Sequence, residues 1–334
     1  MKIYLASAEV PAKHSVAPAY ADQLMRQRHP QRHEPVDDPA AADIVLFTDC
    51  HIISSADWTL RAIRSTTLAR HFPQKVCVYN ERDRPWCSLP GVYVSMPASG
   101  FVARWQVAGA YIKLDPPAAR IRRDPTTIEP DLLFSFVGAA THGCREDVFR
   151  LRAPRSHVER IDGFLFHDPT SARFGELRLH FADVMLRSSY VLCPRGHATS
   201  SFRLYETMSA GRVPVILADA WVPPIGPRWE EFSIRWPERH IADLPRYLAD
   251  RGGDAAAMGA RAKDAYDQWF APDVVLTHQL DQLAGLMGDD GLAGFPKGGC
   301  KNQQYYRTLR GATVARAKLL RRRAFAHPHR VEQV

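Results

Sequence analysis

Short apolar runs bounded by turn residues alternate along this chain with longer stretches of helical spacing, the order expected of an α/β protein. In the first third, Lys2 to Leu5, Ile44 to Phe47 and Val76 to Tyr79 predict strands, and Trp58 to Arg70 predicts a helix. Farther on, Phe134 to Val137, Tyr190 to Cys193 and Val213 to Leu217 predict strands separated by helices, and Ile241 to Leu248 and Ala255 to Phe270 predict two more helices. Between Leu114 and Pro130, the prolines Pro116, Pro117, Pro125 and Pro130 interrupt a charged, weakly periodic stretch that reads as a linker. The division is then a first unit over 1–125, a second over 126–271, and a helical segment with a basic tail over 272–334. A chain of 334 residues with 46% hydrophobic content is long for one core and rich enough to bury two.

The most informative stretch runs from Ser188 to Ala218. Tyr190 to Cys193 form an apolar strand closed by Pro194, Arg195 and Gly196; Thr199, Ser200 and Ser201 then supply helix-capping chemistry. A helix from about Ser201 to Gly211, followed by the strand Val213 to Leu217, completes a parallel βαβ unit. The turn therefore lies at a strand's carboxyl end and a helix N-terminus, where free N–H groups and the helix dipole favour an anion. Arg195 and Arg203 are placed to reach that turn, and their planar forks match phosphate oxygens. Glu206, one helical turn further on, suits paired sugar hydroxyls, so a nucleoside diphosphate satisfies both sets of groups. The plainer alternative is a solvated Arg203–Glu206 pair on an ordinary crossover helix.

At these residues the chain resembles the exostosin family of glycosyltransferases. The resemblance rests on Cys193-Pro194-Arg195-Gly196, then Ser201-x-Arg203-x-x-Glu206, then Gly211-x-Val213-Pro214-Val215-Ile216-x-x-Asp219. Leu133 to Gly138 followed by Arg145, and Trp229-x-x-Phe232-Ser233-Ile234, extend it over roughly Asp131 to Leu248. Two departures stand out: His197-Ala198-Thr199 replaces a more glycine-rich loop, and Met208-Ser209-Ala210 replaces a more apolar helix. The resemblance implies a GT-B fold, two Rossmann-like domains facing a central cleft, with the helical segment 272–334 returning to the first domain. It further implies a nucleotide-sugar donor held by the second domain, a glycan or glycolipid acceptor, and inverting, metal-independent transfer. A retaining GT-B transferase and a non-catalytic binder of nucleotide or anionic lipid are the alternatives. The donor cradle comprises Arg145, Arg195, Gly196, Ser200, Ser201, Arg203 and Glu206, with a surface-helix role as the alternative for Arg145.

The acceptor hydroxyl needs a base from the facing unit, within reach of its oxygen. Asp49 and His51 follow one predicted strand, and Glu81 and Asp83 follow another; ligands of open α/β sheets bind beyond such strand ends. The resemblance does not choose among them, and Asp49 and Glu81 are the leading candidates. Trp86 and Trp105 are candidates to stack on a sugar, with core packing as the alternative. Glu81-Arg82-Asp83 has the form of a metal-binding acidic pair, but the cationic turn makes an ion redundant there. Proline interrupts both His29-to-His33 and His327-Pro328-His329, so neither presents a regular helical ligand pair. No resident metal or cofactor is expected.

The net charge of +8 belongs to the tail. From Gly291 onward there are ten Lys or Arg and one acid, Glu332; the rest of the chain holds 34 basic and 35 acidic groups. That balance argues against a nucleic-acid partner. Within Arg307 to Arg323, basic residues interleave with Leu309, Val314, Leu319 and Leu320, a composition suited to an anionic membrane surface. The start, MKIYLASAEVPAKH, is broken by Glu9 and Pro11, unlike a signal peptide or anchor. Six scattered cysteines without a CxxC pair read as reduced thiols. The expected location is cytoplasmic, with peripheral attachment at the inner membrane face left open.

Overall fold

A computed structural model describes residues 1–8, 17–50, 62–83, 85, 89–111, 128–161, 172–251 and 253–287. Among them, two wholly parallel sheets lie one after the other along the chain. The first contains β1 (Lys2–Ala6), β2 (Glu34–Pro35), β3 (Ile44–Cys50), β4 (Val76–Asn80), β5 (Gly91–Tyr93) and β6 (Gln106–Ala108), in the order β2-β1-β3-β4-β5-β6. The second contains β7 (Leu132–Gly138), β8 (Ser156–Arg160), β9 (Ser188–Pro194), β10 (Val213–Leu217) and β11 (Ile234–Arg235), in the order β11-β10-β9-β7-β8. The central strands β4 and β10 are buried at every residue, which is why they read as continuous apolar runs rather than alternating ones.

The helices are α1 (Ala17–Met25), α2 (Thr67–His71), α3 (Gly143–Phe149), α4 (Ala172–Leu186), α5 (Phe202–Ser209), α6 (Leu244–Asp250), α7 (Ala255–Trp269) and α8 (Val275–Met287). The helix expected over 58–70 is broken, and its first part lies outside the described residues. One helical turn at 62–65 ends at Thr66, which adopts an extended conformation and caps α2 through Ala69 N (3.1 Å). The Thr66 hydroxyl also donates to Ile63 O (2.7 Å), a local bond that competes with helix continuation.

Gly211 closes α5 at φ +64°, the left-handed conformation foreseen for the helix end, and the chain turns directly into β10. β10 pairs with β9 in the register Val213↔Tyr190 through Leu217↔Pro194, completing the expected βαβ unit.

The two sheets share a core. Tyr79, Val92 and Val107 of the first pack in one cluster with Cys193 and Ile216 of the second and with Leu276, Leu280 and Leu283 of α8. α8 is the element that returns to the first sheet. Tyr79 donates to Ala110 O (2.6 Å) beside Gln279, Thr277 N donates to Gln27 Oε1 (3.0 Å), and His33 meets Asp281 (2.9 Å). Two Rossmann-like sheets joined by a returning C-terminal helix form the GT-B arrangement. No helix among the described residues is long and apolar enough to cross a membrane. The described cysteines Cys77, Cys144 and Cys193 are buried free thiols. The basic segment 307–323 lies outside the described residues.

Candidate active site

The turn after β9 faces the first sheet. Thr199 Oγ1 donates to Ser95 O (3.0 Å), just beyond β5, and Tyr111 stacks on Phe202 at the start of α5 with ring centroids 3.8 Å apart. Ala98 N donates to Ala220 O (2.8 Å), a second backbone link between the units. These contacts pin the turn of the second unit against the strand ends of the first.

Arg145 underlies the turn. From α3 its fork donates to three carbonyls: Nε to Arg195 O (3.0 Å), Nη1 to Ala139 O (3.1 Å) and Nη2 to Pro194 O (3.3 Å). The sequence reading made it a ligand of the leaving group or a surface residue; the structure makes it a half-buried brace for the loop backbone. Its pKa is lowered to about 10 by burial first and by the Arg203 charge second. Gly196 is explained by the same packing. A Cβ there would stand 2.9 Å from Thr141 Oγ1 and 3.0 Å from Arg145 Nη2, so a side chain would push the loop off its brace.

Arg203 projects from the first turn of α5 between two aromatic rings, 5.1 Å from the centroid of Phe136 and 4.9 Å from that of Phe181. Arg145 stands over the same Phe136 ring at 5.6 Å, so one phenyl ring carries two guanidiniums. Burial lowers the Arg203 pKa, and the Glu206 carboxylate partly offsets this. Arg195 contributes a buried Nε with no hydrogen-bond partner among the described residues. His142, at the N-terminus of α3, is held below its ordinary pKa by burial and then by the charge of Arg195, opposed by Glu238 and reinforced by Arg145 and His197. Two buried guanidiniums at one turn, Arg145 and Arg203, favour an anion beside them.

The remaining cradle residues fall along the same segment. Ser200 is buried and faces the Tyr205 hydroxyl, whose pKa is raised chiefly by burial. Ser201 occupies the N-cap position with extended backbone, but its side chain makes no capping bond, contrary to the expected capping chemistry. Glu206 is half-buried, and its charge reaches Arg203, Cys193 and Tyr266 of α7.

Across from the turn, Glu81 and Asp83 follow β4 as foreseen. Both carboxylates act on Tyr111, helping burial to raise its pKa, and the charge of Asp83 also reaches Arg145. Asp49 lies in β3, with its side chain outside the described residues, and Trp86 lies outside them altogether. Trp105 is buried in a core cluster with Phe47, Val78 and Tyr93, which supports packing rather than sugar stacking. The aromatic seat that Phe136 and Phe181 form around Arg203, and the Tyr111–Phe202 stack, have no charge or motif signature, so spacing alone did not point to them.

A family model, the exostosin GT47 domain, matches residues 113–250. Residues 113–250 are exostosin-like. Among curated relatives, an exostosin-1 homolog of Caenorhabditis elegans is 33% identical over 106 residues, covering 31% of this chain and 28% of that protein. A probable glycosyltransferase of Arabidopsis thaliana is 34% identical over 74 residues, covering 22% and 16%. The chain thus spans less than a third of the length of these relatives. A crystal structure of Anabaena HepE in complex with UDP overlays at 12% identity across 86% of this chain and 99% of that one, with a TM-score of 0.38, too loose to establish shared structure. The exostosin-like region contains the whole β7-to-α6 segment and every cradle residue named above.

Proposed function

We propose that this protein is a GT-B glycosyltransferase that takes a nucleoside diphosphate sugar and transfers the sugar, with inversion, to a polysaccharide or glycoconjugate hydroxyl. The observation that carries this reading is the pair of desolvated guanidiniums, Arg203 and Arg145, at the turn where the exostosin-like segment meets the first sheet. Arg203, Arg195 and the N–H groups at the start of α5 receive the diphosphate, while Glu206 accepts from the ribose hydroxyls. Transfer forms a bond from the acceptor oxygen to the anomeric carbon as the bond from that carbon to the diphosphate oxygen breaks. The acceptor proton passes to a carboxylate, and charge develops on the diphosphate beside the cations.

The base belongs to the end of β4 or β3. Glu81 and Asp49 are the candidates. With the leaving group neutralised by guanidiniums, transfer requires no metal. A thermal-shift screen over nucleoside diphosphates tests the donor, since a ligand that binds only the folded chain raises its melting temperature. One diphosphate is expected to stabilise the protein, and its sugar ester to be slowly hydrolysed; both effects should vanish when Arg203→Ala and Glu206→Ala are combined. A flat response across the panel defeats the reading.

We also propose that the segment from Arg307 to Arg323 attaches the chain to anionic membrane from the cytoplasmic side. Its composition supports this, each basic residue near such a surface contributing about 1 kcal/mol. Removal of 307–334 is expected to abolish co-sedimentation with phosphatidylserine vesicles while sparing nucleotide binding. Equal sedimentation of both forms refutes it.

A further inference from the structure

β8 is the outer strand of the second sheet, and its alternate residues His157 and Glu159 share one face. α4 brings His180 to that face. Glu159 Oε2 accepts from His157 Nε2 at 2.9 Å and from His180 Nε2 at 2.6 Å, with the two imidazole rings 5.8 Å apart and edge to face. Burial alone would raise the Glu159 pKa, but the two imidazole hydrogen bonds outweigh it and hold the carboxyl below its ordinary value. Folding supplies little reason for this convergence. The three side chains are 37%, 38% and 38% exposed, a setting in which ion pairs contribute only about 0–1 kcal/mol.

The arrangement has the chemistry of a metal seat. The ligand atoms of the three residues all lie within 4.8 Å of one another. Ligands about 2.0–2.2 Å from a tetrahedral zinc ion stand about 3.2–3.6 Å apart, so the cluster admits an ion by spreading less than about 1 Å. Two imidazoles and one carboxylate leave a fourth position for water, and mixed N/O donors suit zinc, cobalt or nickel better than magnesium or calcium. We infer that His157, Glu159 and His180 form a binding site for a divalent transition metal, with zinc as the fitting occupant, clipping α4 to the edge strand β8. In the sheet β7 separates β8 from β9, and the ion is assigned a structural role, with no step of the proposed transfer routed through it.

Equilibrium dialysis of the full chain against zinc chloride, after chelator treatment, tests the inference, with cobalt(II) absorption as the report on ligand type. One equivalent of zinc is expected to bind. Affinity should fall at least tenfold in His180→Ala and in the near-isosteric Glu159→Gln, since even outer partners of metal ligands are worth 10- to 100-fold. Binding should also weaken in mild acid, where imidazole protons compete with the ion. Cobalt should give the visible bands of a tetrahedral N/O site without thiolate charge transfer. Glu159→Gln keeps the side-chain volume, so it carries the test if His180→Ala fails to fold. Absence of zinc binding, undiminished affinity in both variants, or a cobalt–thiolate spectrum overturns the inference.

Discussion

Arg203→Met is expected to lower kcat/KM for the accepted donor by about 10²- to 10³-fold, the loss seen when a preorganised donor to developing charge is removed. The fold should survive. Methionine is long and flexible enough to fill the space between Phe136 and Phe181, and the substitution removes a cation whose pKa burial already depresses. Arg203→Lys should recover only part of the activity, because an ammonium cannot present a planar fork to two phosphate oxygens. Steady-state kinetics alongside urea denaturation separates the two effects. A variant with wild-type turnover would show that Arg203 is merely packed between the rings.

The second large effect is one of stability. Arg145→Met should destabilise the protein by about 3–5 kcal/mol, since three loop carbonyls lose a charged donor and such hydrogen bonds each contribute about 1.5–3 kcal/mol without adding fully. Arg145→Lys should be little better, because one ammonium cannot span the carbonyls of Ala139, Pro194 and Arg195. Chemical denaturation measures this, and a loss below about 1 kcal/mol contradicts the bracing role. The contrast between the two arginines is the useful result: the same residue type, on the same phenyl ring, braces the loop backbone in one case and lies between two aromatic rings in the other.

That contrast was invisible along the chain. Arg145 and Arg203 both sit near the starts of helices with no sequence mark of what their forks touch. Only the folded loop, which turns its carbonyls toward α3, assigns Arg145 to the backbone. The resemblance to exostosins, by contrast, was legible over nearly the stretch that the family model matches, because its spacing is fixed by local geometry. A strand end, a closely packed Gly196, a helix start and a glycine terminus must follow one another at set intervals.

The sequence by itself determined the long buried strands and the βαβ unit around the turn, since apolar runs and helix-ending glycine act within a few residues. It did not disclose β5, β6 or β8. The first two are three residues long, and β8 is partly exposed at a sheet edge, so their pairing depends on strands already in place. The helix broken at Thr66 failed for a related reason, a hydroxyl choosing between local backbone partners. Tertiary structure alone decided the aromatic seat of Arg203, the bracing by Arg145 and the meeting of His157, Glu159 and His180. In each case residues distant in sequence come into contact, and their energies depend on what surrounds them once water is excluded.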